Sequence, residues 1–163
     1  MNQEILKQLS DLTASRDRVE FSLGDTYDIK ASIVLVIATF LATLSGSILS
    51  VQGLAIPIRW LQLLAVIALV ISAFYCFRVL WPRHYRLEGN PKKIRDWLEL
   101  QIKEGGLDAA SALQSQMIAT ENRIAVNRAF NMEKSAMVIK SFYWVFAAFG
   151  CQILSLLCLL PSL

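Results

Sequence analysis

The sequence is short of charge, and the shortage is localised. Asp, Glu, Lys and Arg make up 18% of 163 residues, against roughly 25% in soluble domains. None occurs from Ala31 to Ile58, from Trp60 to Phe77, or from Ser141 to Leu163. Histidine is nearly absent: His84 stands alone among arginines and reads as a solvated residue at a membrane surface. Cys76, Cys151 and Cys158 all fall in apolar stretches without metal-ligand spacing. An odd number makes a poor disulfide framework, so they read as small packing residues. There is no Gly-rich phosphate loop, CxxC pair or HExxH. These absences exclude a compact soluble enzyme and a disulfide scaffold, and they leave no catalytic residue, metal site or cofactor to assign. A net charge of +3 is too small to signal a nucleic-acid partner.

What is present is apolar: 55% of the chain, too much for a disordered one. An uncharged apolar run of about 18 residues or more reads as a transmembrane helix. The first span is placed at Ala31–Val51, whose 21 residues reach roughly 31 Å, the thickness of a hydrocarbon core. The second runs from Ile58 to Leu80, with Pro82 beyond it, and the third from Ser141 to Leu160. Gln52, Gly53 and Pro57 make a short connection, so the first two spans form an antiparallel hairpin. The expected fold is an all-α membrane protein of three transmembrane helices, a hairpin plus a C-terminal span, with a helical cytoplasmic region. It divides into an N-terminal amphipathic helix (1–30), the hairpin (31–81), a polar helical region (82–140) and the third span (141–163).

The polar parts have their own patterns. Ile5, Leu9, Leu12, Arg16, Val19 and Leu23 recur at alternating steps of four and three, a heptad seam with one charged interruption. It suits an amphipathic helix packed on the rest of the protein, or self-association. Gly24–Asp25 are candidates for a kink or cap. Asn90–Pro91 starts a short helix carrying Ile94, Trp97, Leu98 and Ile102 on one face, and Gly105–Gly106 stops it. No Gly or Pro occurs from Leu107 to Phe149, so a helix starting near Asp108 can run unbroken into the third span. Arg78, Arg83, Arg86, Lys92, Lys93 and Arg95 lie close to the second span, whereas the hairpin turn offers only Arg59. By the positive-inside rule, residues 1–30 and 82–140 face the cytoplasm. A stretch of thirty polar residues, net acidic, precedes the first run, which does not fit a secretory signal peptide.

Candidate functional residues follow from these patterns. Acidic and basic side chains are missing from the spans, which disfavours proton relays and ion-coupled transport. Ala38, Ala42, Gly46 and Ser50 form a small-xxx-small stripe for close helix approach. It packs on the second span or lines an oligomeric passage, since three helices are too few to enclose a pore. Leu113, Met117, Ile124 and Val138 share a face with Thr120, Asn127 and Asn131. A seam with buried polar residues is costly unless it fixes a register or binds a ligand. The helix is then either half-solvated with paired surface charges, or a sensor for an anionic ligand contacted by Arg123, Arg128 and Lys134.

Three features together resemble a known family. Tyr27-Asp28-Ile29-Lys30-Ala31 opens the first span, Leu80-Trp81-Pro82-Arg83 closes the second, and Asn127, Lys134 and Lys140 mark the return to the membrane. Over residues 25–145 the chain is similar to the small transmembrane effectors of bacterial Pycsar-type antiphage systems. The resemblance implies a multi-pass protein of the bacterial inner membrane that forms a homo-oligomer in the lipid bilayer. A cyclic mononucleotide made during infection would bind its cytoplasmic part, and the membrane region would permeabilise the membrane and halt the host. Asp28 and Lys30 would form a juxtamembrane latch with Arg83 or Arg86. Two departures stand out: three spans put the termini on opposite sides, and no cyclic-nucleotide-binding cassette is recognisable. The competing reading is a non-catalytic accessory subunit that docks a soluble partner at the membrane.

Overall fold

A computed structural model describes residues 3–51, 53–81, 96, 100, 103, 105 and 108–159, with the side chains of 3–6 and 109 excepted. Three long helices dominate: α1, Gln3–Leu49; α2, Ile56–Leu80; and α3, Ala109–Leu159. All three are long and apolar enough to cross a membrane. No strand occurs among the described residues. The expected short helix after Asn90–Pro91 and the basic cluster Arg83–Arg95 lie outside the described residues, apart from isolated positions. Gly105 has φ +70°, the left-handed conformation that a glycine supplies at a helix stop.

The helix boundaries follow from local chemistry. α1 ends where Gly53, at φ +82°, lets the backbone turn in a conformation that L side chains resist. Pro57 lies in the first turn of α2, where a missing N–H costs nothing. At the start of α3 the Asp108 carboxylate accepts from the Ser111 N–H at 2.7 Å, the interaction that favours Asp as a cap. From there α3 runs to Leu159 without interruption. The cap considered at Gly24–Asp25 does not occur, because α1 continues through both residues. One interior glycine costs a helix about 1 kcal/mol, which a long, packed helix absorbs.

The chain forms two compact units, one of residues 1–24 and 83–132 and one of residues 25–82 and 133–163. In the second unit, all three helices bury residues at alternating steps of three and four. On α1 these are Ala31, Val34, Ala38, Leu41 and Ser45; on α2 Ile58, Gln62, Ala65, Leu69, Ser72, Cys76 and Val79. On α3, Val138, Ser141, Val145, Ala148, Gln152 and Ser155 keep the same alternation. That spacing holds one face toward its neighbours over many turns. Large apolar side chains such as Phe40, Val70, Phe74 and Phe146 point outward, as lipid requires. Lipid tails are as apolar as leucine, so helix association here rests on close packing and interhelical hydrogen bonds. The alanines of the core permit that close packing.

The small-residue stripe is used within the chain only in part. Ala38 is buried and Ala42 half-buried, but Gly46 and Ser50 face outward. A Cβ on Gly46 would meet nothing within 4 Å. A step of four residues drifts about 40° around the helix each time, so a strict i+4 stripe rotates out of contact. The alternation through Leu41 and Ser45 does not.

The first unit packs on a different face of α1 from the one its apolar pattern suggests. Leu9, Leu12, Val19 and Leu23 are exposed. Thr13 and Gly24 are buried, with Asp17 and Glu20 half-buried between them. Opposite lie Ala112, Thr120, Asn127 and Asn131, all buried, with Arg123 half-buried.

Candidate functional site

In the first unit the contact between α1 and α3 is a polar seam. The Arg123 guanidinium donates to Asp17 through Nε (3.1 Å) and Nη2 (2.8 Å), a bidentate arrangement of the stronger kind. Both side chains are only 12–13% exposed, so neither charge is well hydrated without the other. Two turns on, the Asn131 amide donates to the Glu20 carbonyl (2.7 Å) and carboxylate (2.8 Å). Between these two rungs sits Asn127, fully buried. Neither its Oδ1 nor its Nδ2 has a hydrogen-bond partner. Such a group costs about 1–3 kcal/mol in desolvation, so this seam is held by its ends and penalised in its middle.

Two concavities flank the seam. One, of about 170 Å³, is lined by polar groups including Ser10, Asp17, Gln116 and Arg123. The other is a groove of about 520 Å³. Its apolar lining includes Leu12, Met117 and Ile124, and its charged lining is Arg16, Arg128 and Glu121. No hydrogen bond or ion pair to either arginine occurs among the described residues. Two cations and one carboxylate beside an apolar wall leave one net positive charge, which suits a singly charged anion with a flat or apolar body.

The second unit has polar contacts of another kind. The Lys134 ammonium, almost fully buried, donates to both Asp28 oxygens at 2.6 and 2.8 Å. Lys30 lies over the Tyr27 ring (5.8 Å) and Lys140 over the Tyr75 ring (5.9 Å). Deeper in the apolar segments, the Gln152 amide donates to the Leu41 carbonyl (2.9 Å) and the Ser45 hydroxyl (2.8 Å). The Gln62 amide donates to the Ser155 hydroxyl at 2.6 Å, and the Ser72 hydroxyl to the Ser141 carbonyl at 2.9 Å. The Gln62 Oε1 is buried without a donor. Interhelical bonds like these contribute about 0.6 kcal/mol each in membranes, up to about 1.7.

The model of the Pycsar effector protein domain matches residues 11–160. The chain belongs to this family. It is thus an effector of antiphage defence whose helices place it in a membrane. No curated protein and no solved structure matches it.

In this Pycsar effector the residues singled out from sequence separate. Arg123 is engaged by Asp17, and Lys134, which belongs to the other unit, by Asp28. Of the three expected ligand contacts only Arg128 lines an open groove without a partner of its own. For the latch, Asp28 has Lys134 as its partner and Lys30 lies on Tyr27, while Arg83 and Arg86 are outside the described residues. Sequence reasoning missed Arg16 as a groove residue, taking it for an interruption in an apolar seam. It also missed Asp17 and Glu20. Their signal was present, since Thr13, Asp17, Glu20 and Gly24 repeat at steps of four, three and four just as the apolar stripe does. Among the described residues no group of three or more His, Cys, Asp or Glu is placed to hold a metal.

Proposed function

We propose that this protein is a non-enzymatic effector that binds a cyclic mononucleotide in its first unit and responds by permeabilising the bacterial inner membrane. Residues 1–24 and 83–132 then face the cytoplasm, where the nucleotide is made. The observation that supports this best is the buried amide of Asn127, without a partner, in a seam held on one side by the Arg123–Asp17 ion pair and on the other by Asn131 on Glu20. Such a seam has two ways to improve, by parting or by taking a ligand, and either changes how α1 and α3 meet. The neighbouring groove supplies what a cyclic mononucleotide needs: Arg128 and Arg16 for the phosphate and an apolar wall for the base. A ligand that favours one arrangement moves the population by its differential affinity. Asp28 and Lys134 serve as the juxtamembrane latch, and several copies assemble, since three helices do not enclose a pore.

The test uses the full-length protein in dye-loaded liposomes, challenged in turn with cAMP, cGMP, cCMP and cUMP. Release with one of them, weakened when Arg16 and Arg128 are changed together to Gln, supports the reading. No release from inserted, folded protein overturns it. The exposed stripe Leu9, Leu12, Val19 and Leu23 favours a second reading, an accessory subunit that docks a soluble partner without gating. That reading requires a triggered protein that never leaks.

A further inference from the structure

We propose that the polar side chains buried between the three membrane helices line the water path when the effector permeabilises the membrane, and that the resting fold closes the path by pairing them with one another. The proposal rests on the reading above and adds where the water runs. Six buried polar residues are involved: Ser45, Gln62, Ser72, Ser141, Gln152 and Ser155. They come from all three helices and from several levels of the second unit. The outward faces of α2 and α3 present Val70, Phe74 and Phe146, and the exposed hydroxyls of Thr39, Thr43 and Ser47 on α1 already donate to carbonyls of their own helix. A water column needs hydrogen-bonding groups along its wall, and in this unit the inner faces are where all three helices carry them.

The pairing is built to exchange. Every rung is a side-chain hydrogen bond to a hydroxyl or a carbonyl: Gln152 to Ser45, Gln62 to Ser155, Ser72 to the Ser141 carbonyl. Water replaces each of these partners at little enthalpic cost. One group already lacks a partner: the Gln62 Oε1 is fully enclosed and accepts nothing. Hydration relieves it, so opening gains where the packed state is worst satisfied. Helices packed about 8–10 Å apart leave no lumen. The path therefore forms only when the helices part and the inner faces of several copies meet around it.

The experiment reads water access directly. Cys76, Cys151 and Cys158 are replaced by Ala in the full chain, and one cysteine is returned at a chosen place. Ala65→Cys puts it in the centre of the core, one turn from Gln62, at a position with no exposure. Ile67→Cys puts it two residues along the same helix, on the outward face. Proteoliposomes are treated with a membrane-impermeant, positively charged methanethiosulfonate, with and without the cyclic mononucleotide that releases dye. The expected result is slow modification of Ala65→Cys at rest, accelerated about tenfold or more on triggering, with Ile67→Cys unreactive throughout. Gln62→Leu with Gln152→Leu, in the otherwise native chain, slows dye release while leaving nucleotide binding unchanged. Triggered release in which Ile67→Cys labels as fast as Ala65→Cys, or Ala65→Cys stays protected, overturns the inference and leaves the proposed function standing. A wild-type protein that releases no dye overturns both.

Discussion

The two units draw on the same pair of helices yet bury opposite chemistry. In the second unit α1 and α3 meet through Ala31, Val34, Ala38 and Leu41 against Val138, Val145 and Ala148, with glutamine and serine rungs between. In the first they meet through Thr13, Asp17 and Glu20 against Thr120, Arg123, Asn127 and Asn131, and the leucines of α1 face out. Apolar side chains directed outward are ordinary against lipid; next to water they are not. The contrast shows that burial in this protein is set by which partners meet, and not by which face is more apolar. An alanine-rich core lets helices approach closely, whereas a seam of charges and amides depends on every group finding its partner.

Breaking the first unit's ion pair gives the largest expected effect. Arg123→Met leaves the Asp17 carboxylate nearly enclosed without its cation, which costs about 3 kcal/mol. The midpoint of thermal unfolding in detergent and the onset of proteolysis within residues 1–24 both report it. Adding Asp17→Asn recovers most of the loss, because the stranded charge is gone. An equal loss in the single and double variants shows that packing, not charge, holds the seam.

The corresponding change in the second unit is milder. Lys134→Met removes the cation from Asp28, but the Asp28 side chain is 38% exposed and water takes over. We expect about 1–2 kcal/mol, discounted for that exposure. If Lys134→Met is as damaging as Arg123→Met, the difference between the units does not lie in solvent access to their carboxylates.

Asn127→Leu works in the other direction. Filling the seam's centre with an apolar side chain removes two unsatisfied groups and raises stability by about 1 kcal/mol. If the amide is kept for function, the same variant needs more nucleotide to release dye. A destabilised Asn127→Leu shows that the amide is satisfied in the working protein.

How much of this was legible in the sequence depends on where the information resides. The three spans are local facts: uninterrupted apolar runs bounded by Gly53, Pro57 and Pro82. So is the unbroken course of α3, which needs only the lack of Gly and Pro. The face on which α1 packs before Gly24 is not local. Residues 5–23 carry two stripes of equal period, one apolar and one polar. The choice is made by Arg123 and Asn131, more than a hundred residues away, which fit the polar one. How far the small-residue stripe packs within the chain was hidden for a related reason, since periodicity on one helix says little until its partner's register is known. The groove was hidden because Arg16 and Arg128 come together only in the fold.

The smallest effect belongs to the start of α3. Asp108 is fully exposed, and hydrogen bonds from the Ser111 side chain first and its backbone N–H second hold its carboxyl below the ordinary aspartate value. A depressed folded-state pKa gives a contribution that is complete above the unfolded-state value and is lost as the pH falls through the folded one. The first turn of α3 is therefore expected to loosen only in acid, below the usual carboxylate range. Amide exchange at Ser111 and Ala112 reads it without interference from the rest of the chain. Asp108→Ala should raise that exchange at neutral pH. Asp108→Asn, which caps without titrating, should keep it low and remove its acid dependence. Acid loosening that persists in Asp108→Asn would move the titrating group elsewhere in the first unit.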